Sequence, residues 1–148
     1  MIQVETRARR EFVLWLSALS LAGLARPLKA DDRSHKRATA VAETWLSLVD
    51  EGRYAESWGA AAPVFREAVT REQWETAVRS VRTPLGRCLS RKLVSRKLVA
   101  SLPGAPKGTY VVIQFKTAFE GKAGTIETVT PALGADGQFS VSGYFIRS

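Results

Sequence analysis

Cysteine, histidine and methionine each occur once in the 148 residues. A single cysteine excludes an internal disulfide framework. One histidine and one cysteine leave too few soft ligands for a Cys/His zinc site. No metal and no cofactor is expected. The one histidine, His35, falls in a polar stretch read as a leader, which argues against a Ser-His or Cys-His nucleophile pair. Acidic residues are missing altogether from Thr76 to Phe119. The apolar run Phe12–Ala25 has 14 residues, short of the roughly 20 that a membrane-spanning helix needs. What is present is an ordinary globular composition, 45 % hydrophobic and 24 % charged, with room for one domain and one core.

The N-terminus has the three-part layout of a secretory signal peptide. Arg7, Arg9 and Arg10 come first, the apolar run follows, and Arg26-Pro-Leu-Lys-Ala30 precedes Asp31. Gly23, Ala25 and Ala30 are candidate cleavage sites. Arg9-Arg10-Glu-Phe-Val-Leu14 resembles the twin-arginine export pattern, and general secretion fits as well. An uncleaved anchor or a misplaced start codon is the remaining alternative. We therefore divide the chain into a signal peptide (1–30), a flexible leader (31–37) and a single domain (38–148), periplasmic or secreted. Residues 1–30 hold five basic and two acidic residues, a net of +3, so the remaining 118 residues carry +5 of the total +8.

Helical spacing opens the domain. Ala38, Val41, Ala42, Trp45, Leu48 and Val49 form one apolar stripe, and Gly52 is placed for a left-handed C-cap. A second segment carries Trp58, Ala61, Ala62, Phe65, Ala68 and Val69, with Pro63 breaking or restarting it. Thr70-Arg-Glu-Gln73 is a capping box, and Trp74, Ala77, Val78 and Val81 follow on one face. Pro84 and Gly86 end that helix. Trp45, Trp58 and Trp74 read as core anchors.

From Cys88 the period shifts toward 2. Strands are predicted over 89–100, 110–119, 125–133 and 139–147, with Asp136-Gly137 as a hairpin turn. Pro131 predicts an edge or a bulge. Ser90-Arg-Lys-Leu-Val94 recurs unchanged as residues 95–99. A five-residue step reverses strand faces, so a bulge or bend near Ser95 is needed to keep Leu93 and Leu98 on one side. Helices before strands argue an α+β fold, with N-terminal helices on a four-stranded antiparallel sheet.

Several runs together resemble a known family: Trp45-Leu-Ser-Leu-Val-Asp-Glu-Gly-Arg-Tyr54 with Ser57-Trp58, Pro84-Leu-Gly86, Ser101-Leu-Pro-Gly-Ala-Pro106, Tyr110-Val-Val-Ile-Gln-Phe115, Glu127-Thr-Val-Thr130 and Gly143-Tyr-Phe-Ile146. The chain resembles the bacterial "domain of unknown function 4019" family over about residues 38–147. The tandem SRKLV and Phe139 depart from the family's pattern. The resemblance implies an exported bacterial protein without assigned activity. It also implies a curved, cone-shaped sheet, nuclear-transport-factor-2-like or cystatin-like, enclosing a pocket. Fold analogy does not transmit function.

Three functional readings follow. The first is a non-enzymatic module that binds a small molecule or an envelope protein, as a monomer or homodimer. The second is an acid/base enzyme. Glu127 shares a strand face with Val129 and Leu133, where a carboxylate's pKa can rise, and Tyr110 or Tyr144 could assist. Against it, Glu127 could instead face solvent or pair with Lys116. The third is a surface for anionic lipid or polysaccharide, built from Arg79, Arg82, Arg87, Arg91, Lys92, Arg96 and Lys97. Export and the lack of interleaved aromatics argue against nucleic acid.

Overall fold

The computed structural model describes residues 29–147. Arg9, Arg10 and the signal-peptide reading fall outside the described residues, apart from positions 29 and 30. Among these residues four helices come first: α1 (Lys29–Asp50), α2 (Tyr54–Ala60), α3 (Pro63–Ala68) and α4 (Arg71–Leu85). Four strands follow: β1 (Cys88–Val99), β2 (Tyr110–Phe119), β3 (Lys122–Leu133) and β4 (Phe139–Arg147). The strands pair antiparallel in the order β1-β2-β3-β4, an open sheet with the helices packed against it. The architecture is α+β.

The local signals act where chemistry requires them. Gly52 takes φ 74°, and the Arg53 and Gly52 amides donate back to Leu48 and Val49 at 2.9 and 3.1 Å. This closes α1 directly after Asp50. Pro63 occupies the first turn of α3, where its missing N–H costs nothing. The Thr70–Gln73 capping box starts α4, and Gly86 caps its end at φ 72°.

One expectation is corrected. Residues 31–37 are helix rather than flexible leader. Asp31 and Asp32 stand in the first turn, where the helix dipole favours acids, and Asp32 pairs with Lys36 at 2.9 Å. Arg37 then donates to the Gly137 carbonyl and lies over the Phe139 ring, 5.6 Å from its centroid. These tertiary contacts hold the polar segment against the β3–β4 turn.

The SRKLV repeat keeps its leucines together through a bulge. Leu93 pairs with Phe115 and Leu98 with Val111, and the register slips between Leu93 and Ser95. Residues directly opposite on antiparallel strands share a face. Both leucines therefore point to the helices, and Val94 is the extra residue. A second slip leaves Leu89 unpaired between Cys88 and Ser90. Pro131 marks a bulge, not an edge: β3 is internal, and Ser142 is the additional residue on β4.

The core lies between helices and sheet. Trp45, Phe65, Trp74 and Tyr144 form a ring cluster with centroids 5.1–6.5 Å apart. Ser57 satisfies both buried indoles, accepting from Trp45 Nε1 through its carbonyl and from Trp74 Nε1 through Oγ. Trp58 is half-buried against this core. Leu46, absent from the predicted stripe, is fully buried, while Leu48 is half-buried. On the opposite face of the sheet, the 100–109 loop covers Tyr110 and Val112 with Leu102.

Candidate functional site

Glu127 projects from β3 toward the helices, between Phe115 on β2 and Ile146 on β4. It has no exposed surface. Its Oε1 accepts from Arg91 Nε at 2.8 Å and from Thr117 Oγ1 at 2.5 Å. Its Oε2 accepts from the Tyr144 hydroxyl at 2.5 Å and lies 3.9 Å from Arg82 Nη1. Both arginines reach a second carboxylate. Asp50 Oδ1 accepts from Arg82 Nη2 at 2.6 Å, and Asp50 also accepts two bonds from Arg91, at 2.7 and 3.0 Å.

Four charges thus meet as two carboxylates and two guanidiniums, a neutral set. The helix layer supplies Asp50 and Arg82; the sheet supplies Arg91 and Glu127. Asp50 ends α1, where the helix dipole disfavours an acid. Two arginines compensate. Arg82 follows Trp74 and Val78 at four-residue steps, so it lies on the buried stripe of α4. Its guanidinium sits over the Phe119 ring, 4.7 Å from the centroid, a cation–π contact in a desolvated setting.

The setting shifts several groups. Burial alone would raise Asp50, but hydrogen bonds from Arg91 and Arg82 outweigh it and hold its carboxyl below the usual range. Burial, reinforced by the Glu127 charge, pushes the Tyr144 hydroxyl well above its ordinary value and keeps it a donor. Burial likewise raises the half-buried Cys88 thiol, with Arg91 opposing.

The candidate residues separate accordingly. Glu127 neither faces solvent nor meets Lys116, which lies on the other face of β2, opposite Lys92. Tyr144 joins Glu127. Tyr110 does not: it faces the opposite side and donates to the Pro106 carbonyl at 2.6 Å. The basic set also divides. Arg82 is 5 % exposed, and it lies with Arg91 in the interior network rather than on a surface patch. Arg87 pairs with Glu120, and Arg79 reaches Glu75 at 4.0 Å. Lys92 and Lys97 stand on the outer face, and Arg96 points to the helix side opposite Ile113. Among the described residues no three His, Cys, Asp or Glu side chains converge as metal ligands.

Asp50 and Thr117 escape a reading by residue type, and Arg82 and Arg91 read there as surface cations. A signal for Arg82 exists, since it extends an apolar stripe in four-residue steps. Asp50 likewise follows the buried Leu46 by four. Nothing in the sequence pairs either with Glu127.

Residues 41–144 match the family model described as a protein of unknown function (DUF4019). The chain belongs to the DUF4019 family. The matched segment of this DUF4019 protein contains Asp50, Arg82, Arg91, Thr117, Glu127 and Tyr144, so the whole network lies inside the family domain. No curated protein and no solved structure matches the chain.

Proposed function

We propose that this DUF4019 protein is an exported, non-catalytic binding domain. Its ionic network, buried at Glu127 and Arg82 and open to solvent at Asp50, is scaffold, and its sheet presents the binding surface. The observation that carries the reading is the sealing of Glu127: a carboxylate with no exposed surface, both of whose oxygens already accept hydrogen bonds, lies out of a substrate's reach. General acid/base work requires reach to the reacting atom. Export is supported by Arg9 and Arg10 ahead of the apolar run. Among the described residues no helix is long and apolar enough to cross a membrane.

Charge placement supports the surface role. Residues 88–147 hold eight Lys/Arg and three Asp/Glu, and the acids are Glu120, Glu127 and Asp136. Glu120 is engaged by Arg87, Glu127 is buried, and Asp136 accepts from the Gln138 amide inside its turn. The outer face of the strands therefore carries cations without acids. Titration with polyphosphate, a generic linear polyanion, tests the reading. Folded Glu127→Gln protein is expected to bind as tightly as native protein. Loss of binding by the folded variant would place Glu127 in the site and overturn the scaffold role.

A further inference from the structure

The register places one row of side chains straight across the outer face of the sheet: Lys92 on β1, Lys116 on β2, Ile126 on β3 and Arg147 on β4. Lys92, Lys116 and Arg147 are exposed and form no ion pair among the described residues. Lys92 and Lys116 are direct cross-strand neighbours, an arrangement that costs stability unless an anion lies between them. Three strand spacings of about 4.8 Å make the row about 14 Å long. Lys97 lies farther along β1 on the same face, opposite Val112.

The ground beside Lys92 and Lys116 is polar. The next row holds Ser95 and Gln114, and Ser95 Oγ donates to Gln114 Oε1 at 3.2 Å, leaving the Gln114 NH2 group as a donor. A half-open depression of about 360 Å³ lies there, lined by Ser95, Arg96, Lys97, Val112 and Gln114. Phe145 closes that row on β4, half-buried.

Resting on the binding-domain reading, we infer that this face is a binding site for an acidic polysaccharide. Lys92, Lys116 and Arg147 take its carboxylate or sulfate groups, and Ser95 and Gln114 take its hydroxyls. A flexible chain of anionic sugars supplies both chemistries at once, and it spaces its charges along a length comparable to the row. A lipid surface fits less well, because anchoring needs apolar side chains projecting beside the cations. The exposed Leu89 and Val94 are instead the extra residues of the β1 bulges, and Leu93 faces the helix side. Nucleic acid would need several exposed stacking rings, and the rings on this face are the buried Tyr110 and the half-buried Phe145.

The test uses a heparin oligosaccharide as acidic glycan, neutral dextran as control, polyphosphate as generic polyanion, and vesicles of phosphatidylglycerol in phosphatidylcholine as lipid. The surface variant is Lys92→Gln, Lys116→Gln, Arg147→Gln. The charge-matched control is Arg33→Gln, Arg66→Gln, Arg71→Gln on exposed helix positions. Heparin is expected to bind in preference to polyphosphate and vesicles, with affinity falling as salt rises. The surface variant should bind heparin about ten-fold more weakly, three exposed ion pairs being worth a few-fold each. The control should change less than about two-fold. Equal losses in both variants would reduce the effect to net charge and overturn the site. Preference for vesicles or polyphosphate would overturn the glycan assignment while the binding-domain reading stands. Binding of none of the probes would remove both.

Discussion

Glu127 looks catalytic by residue type, and the fold buries it among ionic and hydroxyl partners. A carboxylate flanked on its face by Val129 and Phe115 suggests a tuned acid until its partners are known. Arg91, Thr117 and Tyr144 then account for both oxygens. Removing one member of a buried ion network leaves the others uncompensated, which costs more than the intact pair contributes. Glu127→Gln is expected to destabilise the fold by about 3–5 kcal/mol, measured by urea unfolding. A loss below about 1 kcal/mol would show that the network carries no structural weight. The residue pattern did flag Glu127 and Tyr144. It could not separate Tyr110 from Tyr144, because two tyrosines on different strands take their faces from pairing register.

At the scale of elements, β1 depends on its bulge. The tandem repeat would send its second half to the wrong face without Val94 as an unpaired residue. Deleting Val94 should therefore turn Leu98 away from Val111 and abolish cooperative unfolding. Val94→Ala, at a residue 56 % exposed, should cost less than about 0.5 kcal/mol. Urea unfolding followed by tryptophan fluorescence distinguishes the two. If the deletion folds as stably as Val94→Ala, register in β1 is set by something other than the bulge. The need for this irregularity was legible from a five-residue period alone, as were the Gly52 cap, the Thr70 box and the Pro63 restart. The start of α1 was not. Composition marked 31–37 as a flexible leader, whereas the segment is helix and Arg37 binds a turn one hundred residues away.

Across the whole molecule, the neutral network joins the two layers, with Asp50 and Arg82 from the helices and Arg91 and Glu127 from the sheet. Its acid sensitivity should therefore appear in global stability. Asp50 is held below the ordinary aspartate value of about 3.9. A depressed carboxyl favours the folded state fully above that value, and the contribution disappears as pH falls through the folded pKa. Stability is thus expected to decline as pH drops below about 4. Asp50→Asn should be less stable at pH 7 and lose less on acidification. Urea midpoints recorded from about pH 6 to pH 2 check this; parallel curves for the two proteins would remove Asp50 as the acid-sensitive tie.

The amino-acid order by itself determined what depends on neighbours a few residues apart: helix caps, the hairpin turn, the change of period at Cys88, the repeat that demands a bulge, and the helix-before-strand order of an α+β fold. Tertiary structure decided which charges meet. Within the acid-free run from Thr76 to Phe119, two arginines turn inward to Asp50 and Glu127, while Lys92 and Lys116 line up outward. The reason is physical. Strand register and helix docking assign each side chain a face, and a charge becomes scaffold or surface according to whether an opposite charge is buried on that face with it.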